Sequence, residues 1–296
     1  MTQSKKGMLA AAAAYSIFGL SFLFSKKALN IASPMILLCA RFTVTFLVLN
    51  LMALTRVVRL NLKGKSLAGP ICLGVLQPVL YFVFENYGLK YTTTSFTGMM
   101  SAVNPVFAAI LGAIFLKERP APRQWACILV SILGVMIVST GSSSGQNTWL
   151  GCLCLVLAYL SGSGYSLVSR RMADRFTPFE LTYVMFAVGF VFFLGGAWVQ
   201  HGGEMPALLL SALQEADFVT AVLFLSLASS VGAFMLINYA LARLPVARAA
   251  IFANITTVVS VLAGVIVMGD PFSPLSAAAF GLILIGVWGV NRYAVQ

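Results

Sequence analysis

The sequence predicts an all-α polytopic membrane protein of ten transmembrane helices, arranged as two inverted five-helix repeats. Three observations predict it. First, 60% of the residues are hydrophobic and only 9% are charged, against about 25% charged in a soluble domain; mean hydropathy is +0.95. Second, the stretch from Asn86 to Val138 recurs without a gap at Asn238 to Val290, 152 residues further on. Third, lysine and arginine crowd alternate loops along the chain, as they do when a chain crosses a bilayer repeatedly.

Taken in order, ten apolar runs of ~20 residues are long enough to cross a bilayer core of ~30 Å. The first covers 8–25, behind a short basic segment, Met1 to Gly7, that has no small-residue cleavage site and is read as retained. The second, 34–54, opens on Pro34 and carries Arg41. The third, 68–88, carries Gln77, Tyr81 and Glu85 around Pro78. The fourth, 95–116, carries Thr97, Ser101 and Asn104 beside Pro105. The fifth is 124–140. An uncharged Gly/Ser segment, 142–148, is a linker, so 1–141 is the first repeat and 149–296 the second. Spans 149–169, 178–199, 217–240, 246–268 and 274–291 complete the second repeat.

The repeat is settled by its polar matches, which an apolar composition does not supply by chance. Asn86-Tyr87 meets Asn238-Tyr239, Glu118 meets Asp270, Pro122 meets Pro274, and Gly134-Val135 meets Gly286-Val287. The earlier spans align at a shift of 144: Tyr15 with Tyr159, Lys26-Lys27 with Arg170-Arg171, Pro34 with Pro178, Phe42 and Phe46 with Phe186 and Phe190. Five spans per repeat is an odd number, so the halves face opposite ways. With the N-terminus in the cytoplasm, fifteen Lys and Arg fall in inside segments and three, Lys26, Lys27 and Lys90, fall outside. The positive-inside rule selects N-in and C-in. Two near-equivalent halves give inward-open and outward-open states of similar energy, the basis of alternating access. Channels can also be built from inverted repeats.

Several of these residues form a known pattern. Phe18-Gly19-x-x-Phe22-x-x-x-Lys26, then Pro34 followed by Arg41-Phe42, then Asn104-Pro105-Val106-Phe107, Glu118-Arg119 and Gly134-Val135 resemble the repeat of EamA-type members of the drug/metabolite transporter superfamily. The resemblance covers essentially the whole chain, twice. It implies a 5+5 inverted helix arrangement, a central cavity lined by spans 3, 4, 8 and 9, and movement of small metabolites, often outward, through a bacterial cytoplasmic membrane. Amino acids or related compounds are the first expectation. A secondary transporter is the leading reading, with a passive facilitator and an intramembrane enzyme as alternatives. The sequence departs from the pattern at Phe18, where a tryptophan is usual, at Thr257 in place of the second-half proline, and at Asp270 in place of glutamate.

Polar groups at membrane depth are costly and therefore face a cavity or the protein interior. Arg41 and Glu85 have apolar counterparts, Met185 and Ile237, in the second half, so both charges are missing there together. Three readings follow: a substrate or proton site at Glu85, a structural Arg41–Glu85 pair, or Glu85 reaching the interface. Gln77, Tyr81 and Glu85 share one helical face by spacing. Asn104, Ser230, Asn254 and Thr257 lie in the spans assigned to the cavity. These are the candidate substrate-binding residues, with helix–helix hydrogen bonding as the alternative for the hydroxyls, including Ser226 and Ser229. Tyr87 and Tyr239 are read as interface anchors, Glu118 and Asp270 as helix caps or partners of basic loop residues, His201 as a solvated loop residue, and Phe186, Phe190, Phe192 and Phe193 as packed or lipid-facing.

Other classes are excluded. The charge of +11 sits in short loops rather than on one basic face, so it reports topology and not a nucleic-acid partner. There is no H-E-x-x-H, G-x-S-x-G or Walker A motif, hence no catalytic residue, metal or cofactor is assigned. The five cysteines lie in apolar runs and read as buried thiols. The partners expected are a small-molecule substrate and the lipid bilayer; monomer and homodimer both stay open.

Overall fold

The computed structural model describes residues 3–58, 60–115, 121–140, 147–172, 175–241 and 246–293. Glu118 and most of the 142–148 linker lie outside them. Among the described residues the regular structure is helical throughout. Six helical stretches are long and apolar enough to cross a membrane, and four shorter apolar helices accompany them. The protein is a multi-pass membrane protein.

The first two helices are α1 (Gln3–Leu29) and α2 (Pro34–Leu54). Ser33 caps α2, accepting from the Ile36 amide at 3.4 Å, and Pro34 sits in the first turn, where its missing N–H costs nothing. The third span is interrupted. It runs as α3 (Ala68–Gly74), a kinked segment Val75–Leu80, and α4 (Tyr81–Lys90). Gln77 is extended there, with φ −146° and ψ 117°, because Pro78 donates no hydrogen bond and its ring excludes a regular turn. The Ser161 hydroxyl takes up the Leu76 carbonyl at 2.8 Å.

The fourth span is also broken, into α5 (Thr94–Ser101) and α6 (Asn104–Phe115). Pro105 has no N–H for the Ser101 carbonyl and its ring crowds that turn, and the chain turns at Ala102–Val103 just ahead of Asn104-Pro105. Then come α7 (Pro122–Thr140), α8 (Trp149–Met172) and α9 (Pro178–His201). Thr177 and Glu180 form a reciprocal capping box on α9. A 3₁₀ turn leads to α10 (Met205–Gln214). This helix corrects the sequence reading, which left the stretch as loop. Ala207-Leu-Leu-Leu-Ser-Ala-Leu213 is rich in strong helix formers, and Met205 and Ala212 are buried against the bundle.

The eighth span comprises α11 (Ala216–Leu223), a π-helical segment Phe224–Ala233 and α12 (Phe234–Leu241). The ninth is α13 (Val246–Val267), unbroken where the fourth is split; Thr257 in place of proline leaves its hydrogen-bond ladder intact. The tenth, α14 (Pro274–Arg292), is capped by Ser273.

Packing follows a self-consistent scheme. α2 lies on α9, α7 on α14 and α5 on α13. α1 packs against α13 and the α11–α12 span, while α8 packs against α6 and the α3–α4 span. Exchanging the helices of residues 3–140 with those of residues 147–293 maps this set of pairings onto itself. An aromatic core of Phe42, Phe82, Phe186, Phe193 and Phe234 sits between α2, α4, α9 and α12, with Phe42 stacked on Phe186 at 5.2 Å. Phe190 stacks on Phe46 at 5.0 Å, while Phe192 is exposed. Not every thiol is buried, since Cys72 faces outward.

Candidate functional site

The site is built from side chains that a bilayer-spanning bundle has to enclose. Arg41 is only 2% exposed. Its Nε donates to Ser230 Oγ at 3.1 Å and its Nη2 to Ser229 Oγ at 3.4 Å. The guanidinium also lies 4.3 Å over the Phe82 ring centroid. The Arg41 carbonyl accepts from Thr45 Oγ1 at 2.8 Å and from Ser226 Oγ at 3.0 Å. Four hydroxyls and one aromatic face therefore hold Arg41, three of those hydroxyls coming from the second half of the chain. Sequence alone offered Ser230 as a candidate substrate-binding residue, with helix–helix hydrogen bonding as the alternative for it and for Ser226 and Ser229; their 229, 230 spacing on a widened helical segment is what aims both at one cation.

Glu85 is 5% exposed. It shares a hydrogen bond with Tyr81, one turn earlier on α4, and acts electrostatically on Arg41. A direct Arg41–Glu85 pair is not made: among the described residues the ion pair formed is Lys65–Glu180. The guanidinium is drawn instead to the serines and to Phe82. Glu85 is enclosed by the protein rather than exposed at the end of α4. Beside it Asn86 is fully buried. Its Nδ2 donates to Phe82 O at 2.9 Å, and its Oδ1 has no partner among the described residues. Reading Asn86 only as the end of a span missed this.

Tyr81 and Asn104 converge on α8. A methyl group on Gly162 would meet the Tyr81 ring at 3.0 Å and Asn104 Oδ1 at 3.9 Å. Ser163 Oγ donates to the Asn104 carbonyl at 3.1 Å. The run of small residues 161–164 was the available signal, since small residues mark close helix approach. The expected face of Gln77, Tyr81 and Glu85 is broken, because the extended dihedrals at Gln77 end the helical register before Tyr81. Asn104 likewise begins a new helix rather than continuing the Thr97–Ser101 face. Thr257 Oγ1 meets Ser101 Oγ at 3.3 Å, between α13 and α5. Asn254 lies half-buried three residues earlier on α13.

The two ends of the bundle are tied differently. At one end Lys26 Nζ donates to the carbonyls of Leu89 and Thr92. There Asp270 Oδ2 accepts from the Ser95 amide at 2.7 Å, so it caps α5 rather than the helix that follows it. His201 bonds Ser33 at 2.9 Å, as the last residue of α9 and not as a solvated loop residue. Tyr87 meets Gln200 at 3.4 Å. At the other end Glu180 accepts from Lys65 at 2.7 Å, from the Asn61 amide at 3.2 Å and from the Thr177 amide at 2.9 Å. α8 starts at the first end, where the Thr148 amide reaches the Tyr91 carbonyl, and finishes at the second, with Met172 against Gly69. Lys26-Lys27 and Arg170-Arg171 thus lie at opposite ends. Two clefts, of about 790 and 400 Å³, open elsewhere on the bundle and are not lined by the candidate residues. Among the described residues no three His, Cys, Asp or Glu side chains gather as metal ligands.

The sequence signature of the EamA-like transporter family matches residues 5–140 and again 149–292. The chain belongs to the EamA-like transporter family. Within reach of this EamA-like transporter is an uncharacterized transporter, YcxC, of Bacillus subtilis (strain 168), 36% identical over 286 residues, or 95% of this chain and 91% of that one. A probable terminal-alkyne amino-acid exporter of Streptantibioticus cattleyicolor is 27% identical over 72% of this chain and 69% of its own. The phosphoenolpyruvate/phosphate translocator 1 of Arabidopsis thaliana chloroplasts is 24% identical over 95% and 70% respectively. A solved crystal structure aligns over 98% of both chains with a TM-score of 0.62 at 20% identity, a likeness of fold. The EamA-like protein is therefore a membrane transport protein of small molecules rather than a member of an enzyme family.

Proposed function

We propose that this EamA-like transporter is a secondary carrier that exports small polar metabolites, amino acids and related compounds first, by alternating access. The observation that carries the reading is the pairing scheme, in which exchange of the two five-helix halves returns the same set of helix contacts. A bundle so built can close at either end at similar energetic cost. The placement of Lys26-Lys27 and Arg170-Arg171 at opposite ends supports inverted halves, 1–141 and 149–296, and with the loop charges an N-in, C-in orientation in a bacterial inner membrane. Outward transport of amino acids is favoured by the name of one relative, an amino-acid exporter.

In this reading Tyr81, Glu85 and Asn104 bind substrate from the first half, and Ser230, Asn254 and Thr257 from the second. Gln77 joins them at the helix break, and Arg41 supplies the fixed charge. The test is counterflow in proteoliposomes preloaded with unlabelled amino acids, with and without a pH gradient. A carrier accumulates labelled substrate transiently against its gradient. A passive facilitator only equilibrates it, and that result would replace the carrier reading. Glu85→Gln is expected to abolish counterflow while the protein stays folded; full activity removes Glu85 from the site.

A further inference from the structure

We infer that the larger cleft, at the Lys65–Glu180 end of the bundle, is a binding site for the headgroup of an acidic phospholipid. The cleft holds about 790 Å³ and is lined by Asn50, Leu54, Arg56, Asn61 and Tyr183 among others. α2 has 21 residues, a rise of ~30 Å, so its final residues sit at headgroup depth when it spans the bilayer. Leu47, Leu51 and Leu54 are 63%, 60% and 80% exposed. Their i, i+4, i+7 spacing forms one apolar stripe that leads along α2 into the cleft, a track for an acyl chain.

Among the described residues no acid forms an ion pair with Arg56, which lines the polar end of the cleft. The segment Thr55 to Ser66 contains no Asp or Glu. The acid that faces it, Glu180, is already occupied at both oxygens by Asn61, Lys65 and Thr177. Asn50 is occupied too, by Tyr183 at 2.9 Å and the Phe46 carbonyl at 2.7 Å, which fixes the polar floor. Arg56 itself has φ 59°, the left-handed position that ends a helix and that glycine fills at lower cost. The exposed Arg56 lines the cleft as a cation, and a phosphate is the anion available at this depth.

The test uses the purified full chain in an uncharged detergent, titrated with short-chain phosphatidylglycerol, phosphatidylcholine or glycerol 3-phosphate and read by thermal unfolding. Phosphatidylglycerol is expected to raise Tm saturably, and the other two are not. Arg56→Gly suits the backbone, so it keeps the lipid-free Tm. It weakens the phosphatidylglycerol response roughly fivefold, the worth of one basic side chain at an acidic lipid surface. Lys90→Gln, at the opposite end, leaves the response unchanged. Equal responses to the two lipids would overturn the proposal. So would an equal response to glycerol 3-phosphate, which would assign the cleft to a soluble anion. An unchanged response in Arg56→Gly, or a lost one in Lys90→Gln, would place binding elsewhere.

Discussion

Arg41→Gln and Glu85→Gln, made singly and together, test whether the two buried charges hold each other across the site. Arg41 makes one short hydrogen bond, to Ser230 at 3.1 Å, one long one, to Ser229 at 3.4 Å, and a close ring contact with Phe82. A hydrogen bond from a charged donor contributes roughly 1.5–3 kcal/mol, and a desolvated cation over an aromatic face roughly 2 kcal/mol. Glutamine retains part of the serine contact, so Arg41→Gln is expected to cost about 3–4 kcal/mol. Glu85→Gln keeps volume and a hydrogen-bonding atom toward Tyr81, and what it removes is mainly the attraction to Arg41. Opposite charges at 4 Å attract by about 4 kcal/mol at an effective dielectric of ~20. These two lie beyond that contact distance, so the attraction is smaller. The double variant is therefore expected to fall short of the summed single costs by about 1–3 kcal/mol. The assay is reversible unfolding in mixed micelles, analysed as a double-mutant cycle. Additivity within about 0.5 kcal/mol would refute the claim that the two side chains face each other as opposite charges.

Three further outcomes are expected. Gly286→Ala pushes a methyl group to 2.6 Å from the Ser131 amide and 2.8 Å from the Cys127 carbonyl, backbone atoms that cannot turn aside, and is expected to cost roughly 1–3 kcal/mol. Gly281→Ala, on the same helix with nothing within 4 Å, is expected to be neutral or to stabilise by up to ~1 kcal/mol; equal thermal unfolding of the two variants would contradict the packing. Glu180→Gln removes the anion that anchors Lys65 and the Asn61 amide, and limited trypsin digestion in the 56–65 loop is expected to accelerate several-fold, with an unchanged rate arguing against the tie. Asp270→Asn weakens the cap on Ser95 and is expected to lower stability by about 1 kcal/mol, seen as a drop in Tm; an unchanged Tm would argue against the cap.

Much of the helix punctuation was legible in advance. Ser33-Pro34, Thr177-Pro178 and Ser273-Pro274 each begin a helix because a hydroxyl caps and a proline tolerates the first turn. Asn104-Pro105 splits one span and Thr257 spares its counterpart, for the reason that one residue lacks an N–H and the other has it. The candidate site was legible only as residue types. Spacing placed Gln77 on the face of Tyr81 and Glu85, but spacing assumes a continuous helix, and the chain is extended at Gln77. His201 and Asp270 were assigned to their own loops because sequence reasoning sees neighbours within about a turn, whereas their partners are Ser33 and Ser95, 168 and 175 residues away.

The sequence by itself determined that the chain is helical, lies in a membrane and carries one family pattern twice. Hydropathy, capping and repeat register are local properties that survive without coordinates. Tertiary structure decided which polar groups meet. It set Arg41 on Ser229, Ser230 and Phe82 rather than on Glu85, and it left Arg56 in a cleft while Glu180 holds Asn61, Lys65 and Thr177. The reason is physical: a charge buried in a bundle is answered by whatever the other helices bring to it, and that is a matter of packing angle and helix break, not of distance along the chain.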